Sequence, residues 1–398
     1  MTRWMRRSVK SSMFGLVLLA AGACGIEVTP VVKSTPAAEA DQLPPISGGS
    51  LLITRDGAFA VAGDADGDRL IVWSIAAEEL AFEMDLEAGD EPGRMVEGAA
   101  GVVHVALRRG ASVLRLNIPN QSSTRRPACP APRGLDFDAG TNELHLACAG
   151  GQLLTYDAAG AGAAKRVLQI GRDLRDVMVR PGGLLLTQFR SPALIQIDAA
   201  GEIQGRQTPP LFKSEDVHQF STSAQTMFAP TVAWRTRLLP DGRAVMVHQR
   251  VMMGEVGIHP EPNQPKEVPS SSYGGSVAAE FECRPPIVHA AVTVFDADGQ
   301  PSSEDLPLTS FGGLHRAVLP VDFALSAHGQ SIAIAAAGSR TVKIIGQHAV
   351  STRDASHSCQ ALGTDVQIPG QPISVAFTAD DDVLVQTRVP AALWRIRQ

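Results

Sequence analysis

The segment Gln188-Phe189-Arg190-Ser191-Pro192-Ala193 returns as Gln386-Thr387-Arg388-Val389-Pro390-Ala391, each time after a short apolar run and before another. Recurrence of a strand-turn-strand unit marks a repeat architecture, in which each unit buries its apolar faces against its neighbours. The repeated turn is polar and basic, so it also marks the face best suited to binding.

Runs of Val, Ile, Leu and Ala cut by Asp-Gly, Pro-Gly and Ala-Gly turns fill the chain from Leu51 onward, with no helix-length amphipathic segment. The first unit reads Leu51 to Thr54, Ala58 to Ala62, Leu70 to Ile75 and Leu80 to Leu86. Four strands in about 40 residues is the size of one propeller blade. Comparable units begin near Met95, Leu135, Val177, Trp234, Val321 and Ile373. The expected fold is therefore an all-β, seven-bladed β-propeller over residues 49–398, with six or eight blades as alternatives because the interval after the fifth unit is double length. The excess is a proline-rich insertion near 251–287, whose backbone cannot join a ladder. The last unit shows three strands, so a strand from Glu27 to Lys33 is expected to complete it and cover its edge.

Ahead of the repeats, residues 1–23 read as a lipoprotein signal peptide. Arg3, Arg6, Arg7 and Lys10 precede an apolar run from Met13 to Ala21, and Ala21-Gly22-Ala23 precedes Cys24. That ending resembles the lipobox of bacterial lipoproteins, which implies acylation of Cys24 and a firm hold on a membrane surface. Gly25 resembles the outer-membrane sorting pattern, so the expected location is the cell envelope, at the outer membrane, facing the periplasm or cell surface. The competing reading is an ordinary signal peptide cut nearby. Residues 24–48, rich in Pro, Ala, Thr and Glu, read as a lipidated tether.

A net charge of −6 excludes the basic footprint of a nucleic-acid binder, and two tyrosines offer little surface for stacking sugars or bases. Cys129, Cys148, Cys283 and Cys359 are an even number in an exported chain, so disulfides are expected in one of three connectivities. Proximity favours Cys129 with Cys148, leaving Cys283 for Cys359. No Cys-x-x-Cys occurs, so neither c-type haem attachment nor a zinc ribbon is expected, and no cofactor is assigned.

Aligning the second strands of the units puts Arg190, Arg250 and Arg388 at equivalent ends, with Arg108 or Arg109 as a fourth. Gln188, His248 and Gln386 stand two residues earlier and share their side of the strand. Guanidinium groups backed by amide or imidazole would suit a carboxylate or phosphate. The bland alternative is that arginines at strand ends cap carbonyls or pair with neighbouring acids. No catalytic residue is assigned, because no nucleophile elbow or similar signature occurs. His248 lacks a partner at metal-ligand spacing, and Asp64, Asp66 and Asp68 resemble a calcium loop whose twelfth position is Ile75 rather than an acid.

Ser331-Ile332-Ala333-Ile334-Ala335-Ala336-Ala337-Gly338-Ser339-Arg340-Thr341-Val342, preceded by Asp322-Phe323-Ala324-Leu325-Ser326, resembles YVTN-type (YncE-like) β-propeller repeats. The Gln-x-Arg-x-Pro-Ala turns, with Val247-His248-Gln249-Arg250, resemble the propeller half of exported bacterial proteins in which a propeller precedes a c-type cytochrome or di-haem peroxidase-like domain. No haem-bearing segment follows the last unit up to Gln398. The resemblance implies a non-catalytic docking module whose protein partner, a c-type cytochrome or other redox domain, meets the arginine-lined mouth. The rival from another class is a metal-dependent hydrolase or lyase with its site in the central channel.

Overall fold

A computed structural model describes residues 27–33, 45–215, 225–254, 287–301, 306–307, 317–327, 330–346 and 363–397. The signal segment, Cys24, Cys283, Cys359 and residues 255–286 of the expected insertion lie outside the described residues. Seven antiparallel sheets form the seven blades of a β-propeller. Their inner strands, in blade order, are Leu51–Ile53, Pro92–Glu97, Pro132–Asp138, Leu174–Arg180, Gln225–Leu238, Pro320–Leu325 and Gln371–Phe377. Each is followed by a second strand: Phe59–Asp64, Val102–Leu107, Glu143–Cys148, Gly183–Gln188, Ala244–Met253, Ser331–Ala336 and Val383–Arg388.

Second strands are covered on both faces by adjacent blades, and they read as unbroken apolar runs for that reason; every residue of Val102–Leu107 is buried. The seam between blades five and six is typical, packing Val245, Val247 and Val292 against Phe323, Ile332 and Ile334. Outer strands face solvent and lose the apolar signal: Ser122–Pro127 is SSTRRP, and the short addition Phe212–Glu215 joins the upper end of the long inner strand of blade five.

The ring is closed by Glu27–Lys33, which pairs with Ala392–Arg397 as the outermost strand of blade seven. Part of the segment that reads as tether is thus a blade strand. It covers an otherwise open edge and packs Val28 against the seam of blades six and seven. Cys129 and Cys148 are joined in a disulfide that ties the approach to blade three to the end of its second strand.

Inner strands have a free edge toward the channel, and their N–H groups need acceptors. Four side chains supply them by reaching to the next blade. Val179 donates to Asp136 (2.6 Å), Thr236 to Asp176 (3.0 Å), Val375 to Asp322 (3.2 Å) and Leu51 to Ser374 (3.2 Å).

Candidate functional site

The inner strands of blades two to seven all shift register near the same level, between Pro92/Met95, Pro132/Gly134, Leu174/Val177, Ala233/Arg235, Pro320/Asp322 and Pro372/Ser374. A bulge re-aims side chains. Here it collects Arg94, Gly134, Asp176, Arg235, Asp322 and Ser374 into one ring. Gly134 is required by crowding, since a Cβ there would stand 2.7 Å from the carbonyl oxygen of Arg175.

Arg94 crosses the channel from blade two. Its guanidinium contacts the Asp176 carboxylate on blade four and donates to the carbonyls of Arg175 and Trp234, both at 3.0 Å. Arg235 lies 3.1 Å from Asp176 and 3.5 Å from Asp322, and Ser374 donates to Asp322 at 2.6 Å. These groups plug the channel. Burial pulls the Arg94 guanidinium well below its usual pKa, with Arg235 and Arg175 adding repulsion, and lowers Arg175 to about 9 and Arg237 to about 10.

Below the plug lies a cavity of about 510 Å³, bounded by all seven inner strands and running to Ile53, Val179, Leu238, Leu325 and Phe377. It therefore opens toward the face of the turns between first and second strands. Most of the residues around it are aliphatic, but polar atoms make up more than half of its exposed wall; Asp136 and Arg237 are the charged groups placed below the ring.

Above the plug the mouth is basic and aromatic. Arg175 stacks on Phe189 (4.7 Å), Arg133 lies 5.6 Å from the same ring, and Phe189 meets Trp234 edge-on at 5.2 Å. Arg133 pairs with Asp173 at 2.7 Å, whereas Arg175 Nη2 and Trp234 Nε1 are buried donors with no hydrogen-bond acceptor. Arg172 and Arg190 stand exposed beside this stack and form no ion pair among the described residues.

The residues aligned from the sequence do not share a register: Arg190 lies two residues past the end of Gly183–Gln188, Arg250 stands inside Ala244–Met253 and Arg388 is the last residue of Val383–Arg388, so that Gln188 is the counterpart of Arg388, and the three arginines lie in three separate surroundings. Arg190 is exposed, and its backbone N–H donates to Asp173. Gln188 donates to the carbonyl of Arg172 at 2.7 Å. Arg250 is fully buried beneath the Phe212 ring (4.6 Å), where burial lowers its pKa to about 9. His248 is fully buried against Thr293 (2.8 Å), and burial, with Arg250 nearby, pushes it down to about 3. Arg388 is buried in an ion pair with Asp66 at 2.6 Å. Gln386 accepts from Ser50 (2.8 Å) and donates to the Gly63 carbonyl (2.7 Å), joining blade seven to blade one. Arg388 and Arg108 border one small cavity of about 50 Å³ at that junction, under Pro45, Ile46 and Ser47.

A second strand lies one strand out from the axis, so its end meets the neighbouring blade instead of the channel. Sequence alignment of second strands thus passed over Arg94, Asp176, Arg235 and Asp322. The signal was present most plainly at Asp322, a lone charge inside Val321-Asp322-Phe323-Ala324-Leu325, and was diluted in the other three inner strands, each of which carries further charges. The acidic turn is consumed by the fold, Asp64 pairing with Arg69 (2.9 Å) and Asp68 accepting from the Gly89 and Glu91 N–H groups. Among the described residues no three His, Cys, Asp or Glu side chains are grouped to hold a metal ion.

No family model matches the sequence, and no curated protein matches it. Solved structures do. Hydrazine synthase from Kuenenia stuttgartiensis is similar at 14% identity, over 92% of this chain and 99% of that one, with a TM-score of 0.68. U3-55K is similar at 12% identity over 94% and 98% of the chains (TM-score 0.59), and a streptogramin B lyase at 10% identity over 94% and 97% (TM-score 0.58). At such identities the likeness is one of fold, and that fold is the seven-bladed β-propeller.

Proposed function

We propose that this protein is a lipid-anchored β-propeller of the cell envelope that acts as a non-catalytic docking module for an acidic protein surface, such as that of a c-type cytochrome or other redox partner. The carrying observation is the pair of exposed arginines, Arg172 and Arg190, which form no ion pair among the described residues, beside the Arg133–Phe189–Arg175–Trp234 stack. Arginine and tryptophan held rigidly around a partly buried centre are the composition of binding hot spots. Gln188 holds this patch through the Arg172 carbonyl, whereas Arg250, His248, Arg388 and Gln386 are buried elsewhere and would not meet the partner.

Gly25 and Ile26 alone separate Cys24 from the strand Glu27–Lys33. An acylated Cys24 would accordingly hold the outer edge of blade seven at the bilayer and leave both faces of the disc open to the surrounding compartment. The membrane is thus one partner, reached through the lipid, and the acidic protein the other.

The test is affinity capture from an envelope fraction using the full chain and an Arg172→Ala/Arg190→Ala variant. The expected result is an acidic protein retained by the parent, released by 0.5 M salt as screening requires, and absent with the variant. An identical set of captured proteins from both chains overturns the reading.

A further inference from the structure

The channel holds more charged groups than its own lattice consumes. Asp176 is shared by Arg94 and Arg235, and Asp322 by Arg235 and, at 3.9 Å, by Arg237. Asp136 makes no ion pair among the described residues; its oxygens accept only from the backbone N–H groups of Val179 (2.6 Å) and Phe137 (2.9 Å). Arg237 is anchored through Nε to the Phe323 carbonyl (2.7 Å) and keeps a third of its side chain exposed. That exposure is to the cavity, which both residues line.

Their placement follows from the register. Asp136 lies two residues beyond Gly134 and Arg237 two beyond Arg235, so both project from the level just below the ring, on blades three and five with blade four between them. Opposite charges sit at one depth without meeting each other. Between and below them the walls are Leu52, Ile53, Val96, Leu325 and Phe377, inside a volume ordinary for a small-molecule site.

We propose that this chamber binds a small zwitterion with an apolar body, a free amino acid or a short peptide, its carboxylate on Arg237 and its ammonium group on Asp136. A carboxylate meets a guanidinium fork in a paired geometry, and an ammonium group donates well to a carboxylate whose remaining lone pairs are open. The Arg94 plug closes the far end, so the ligand enters from the face opposite the docking mouth. Burial raises the Asp136 pKa, and a bound cation would offset that cost. This site does not depend on the docking reading, since the two lie on opposite sides of the plug.

Calorimetric titration of the full chain with leucine, N-acetyl-leucine and leucinamide tests it. Leucine should bind, and the two blocked forms should each bind at least tenfold more weakly, since each lacks one charged contact. Asp136→Asn retains an oxygen for the Val179 N–H and so spares the fold, yet it should bring leucine down to the affinity of N-acetyl-leucine. Arg237→Gln should bring it down to that of leucinamide. Equal affinity for all three compounds, or no binding of leucine at millimolar concentration by a folded chain, overturns the proposal.

Discussion

The inner ring and the seams between blades solve the same packing problem with opposite chemistry. At the seams, second and third strands meet face to face, and shape-matched aliphatic side chains exclude water. At the ring, seven strand edges converge on a channel whose backbone groups have no partner sheet, so carboxylates, a hydroxyl and guanidinium groups complete the hydrogen bonding. Apolar seams supply the bulk of the stabilisation. The ionic ring adds little net energy, because desolvation offsets its Coulombic gain, but it is costly to leave half-made.

Removing one member of the ring should therefore cost the most. Asp176→Ala leaves Arg94 and Arg235 buried without their shared carboxylate, and a loss of about 3–5 kcal/mol is expected in denaturant unfolding. A truncation at a seam should come next: Leu116→Ala, at a fully buried position, is expected to cost about 3 kcal/mol. If the seam mutation proves costlier than the ring mutation, the contrast between the two regions is reversed.

The smallest effect is read through acidity. His104, on a seam strand, is buried with neither ring nitrogen bonded among the described residues, and burial lowers its pKa from 6.5 to about 3. Between those values the unfolded chain binds a proton that the folded chain refuses. Stability accordingly falls as pH drops through that window and is unaffected above it, with a limiting slope of about 1.4 kcal/mol per pH unit. His104→Leu removes that contribution, so thermal melts at pH 7 and pH 5 should lie closer together in the variant than in the parent. An unchanged gap would mean the imidazole is hydrated.

Legibility of the sequence tracked burial. Strands covered on both sides, such as Val102–Leu107 and Ser331–Ala336, stand out as apolar runs, and the blade count follows from their spacing. Outer strands such as Ser122–Pro127 and Ile203–Gln207 did not stand out, because solvent accepts any polar side chain there. The recurring turn marked a repeated unit but not equivalent positions, since Gln188 ends its strand where Arg388 ends its own, two residues out of step with the motif. Nor did it mark a common site, since Arg250 is buried under Phe212 of its own blade, Arg388 pairs with Asp66 of blade one, and of the three only Arg190 is exposed.

By itself the sequence determined the all-β repeat, favoured seven units over six or eight, and pointed to the strand Glu27–Lys33 as the one that closes the ring, because hydrophobic period and turn chemistry are local properties. Only the tertiary structure decided which charges meet. Arg94 and Asp176 are 82 positions apart (176 − 94) and two blades apart, and they touch because bulges in separate inner strands aim them at one axis. Asp136 and Arg237 share a depth and a cavity for the same reason. Convergence on an axis is a property of the closed ring, and no single blade contains it.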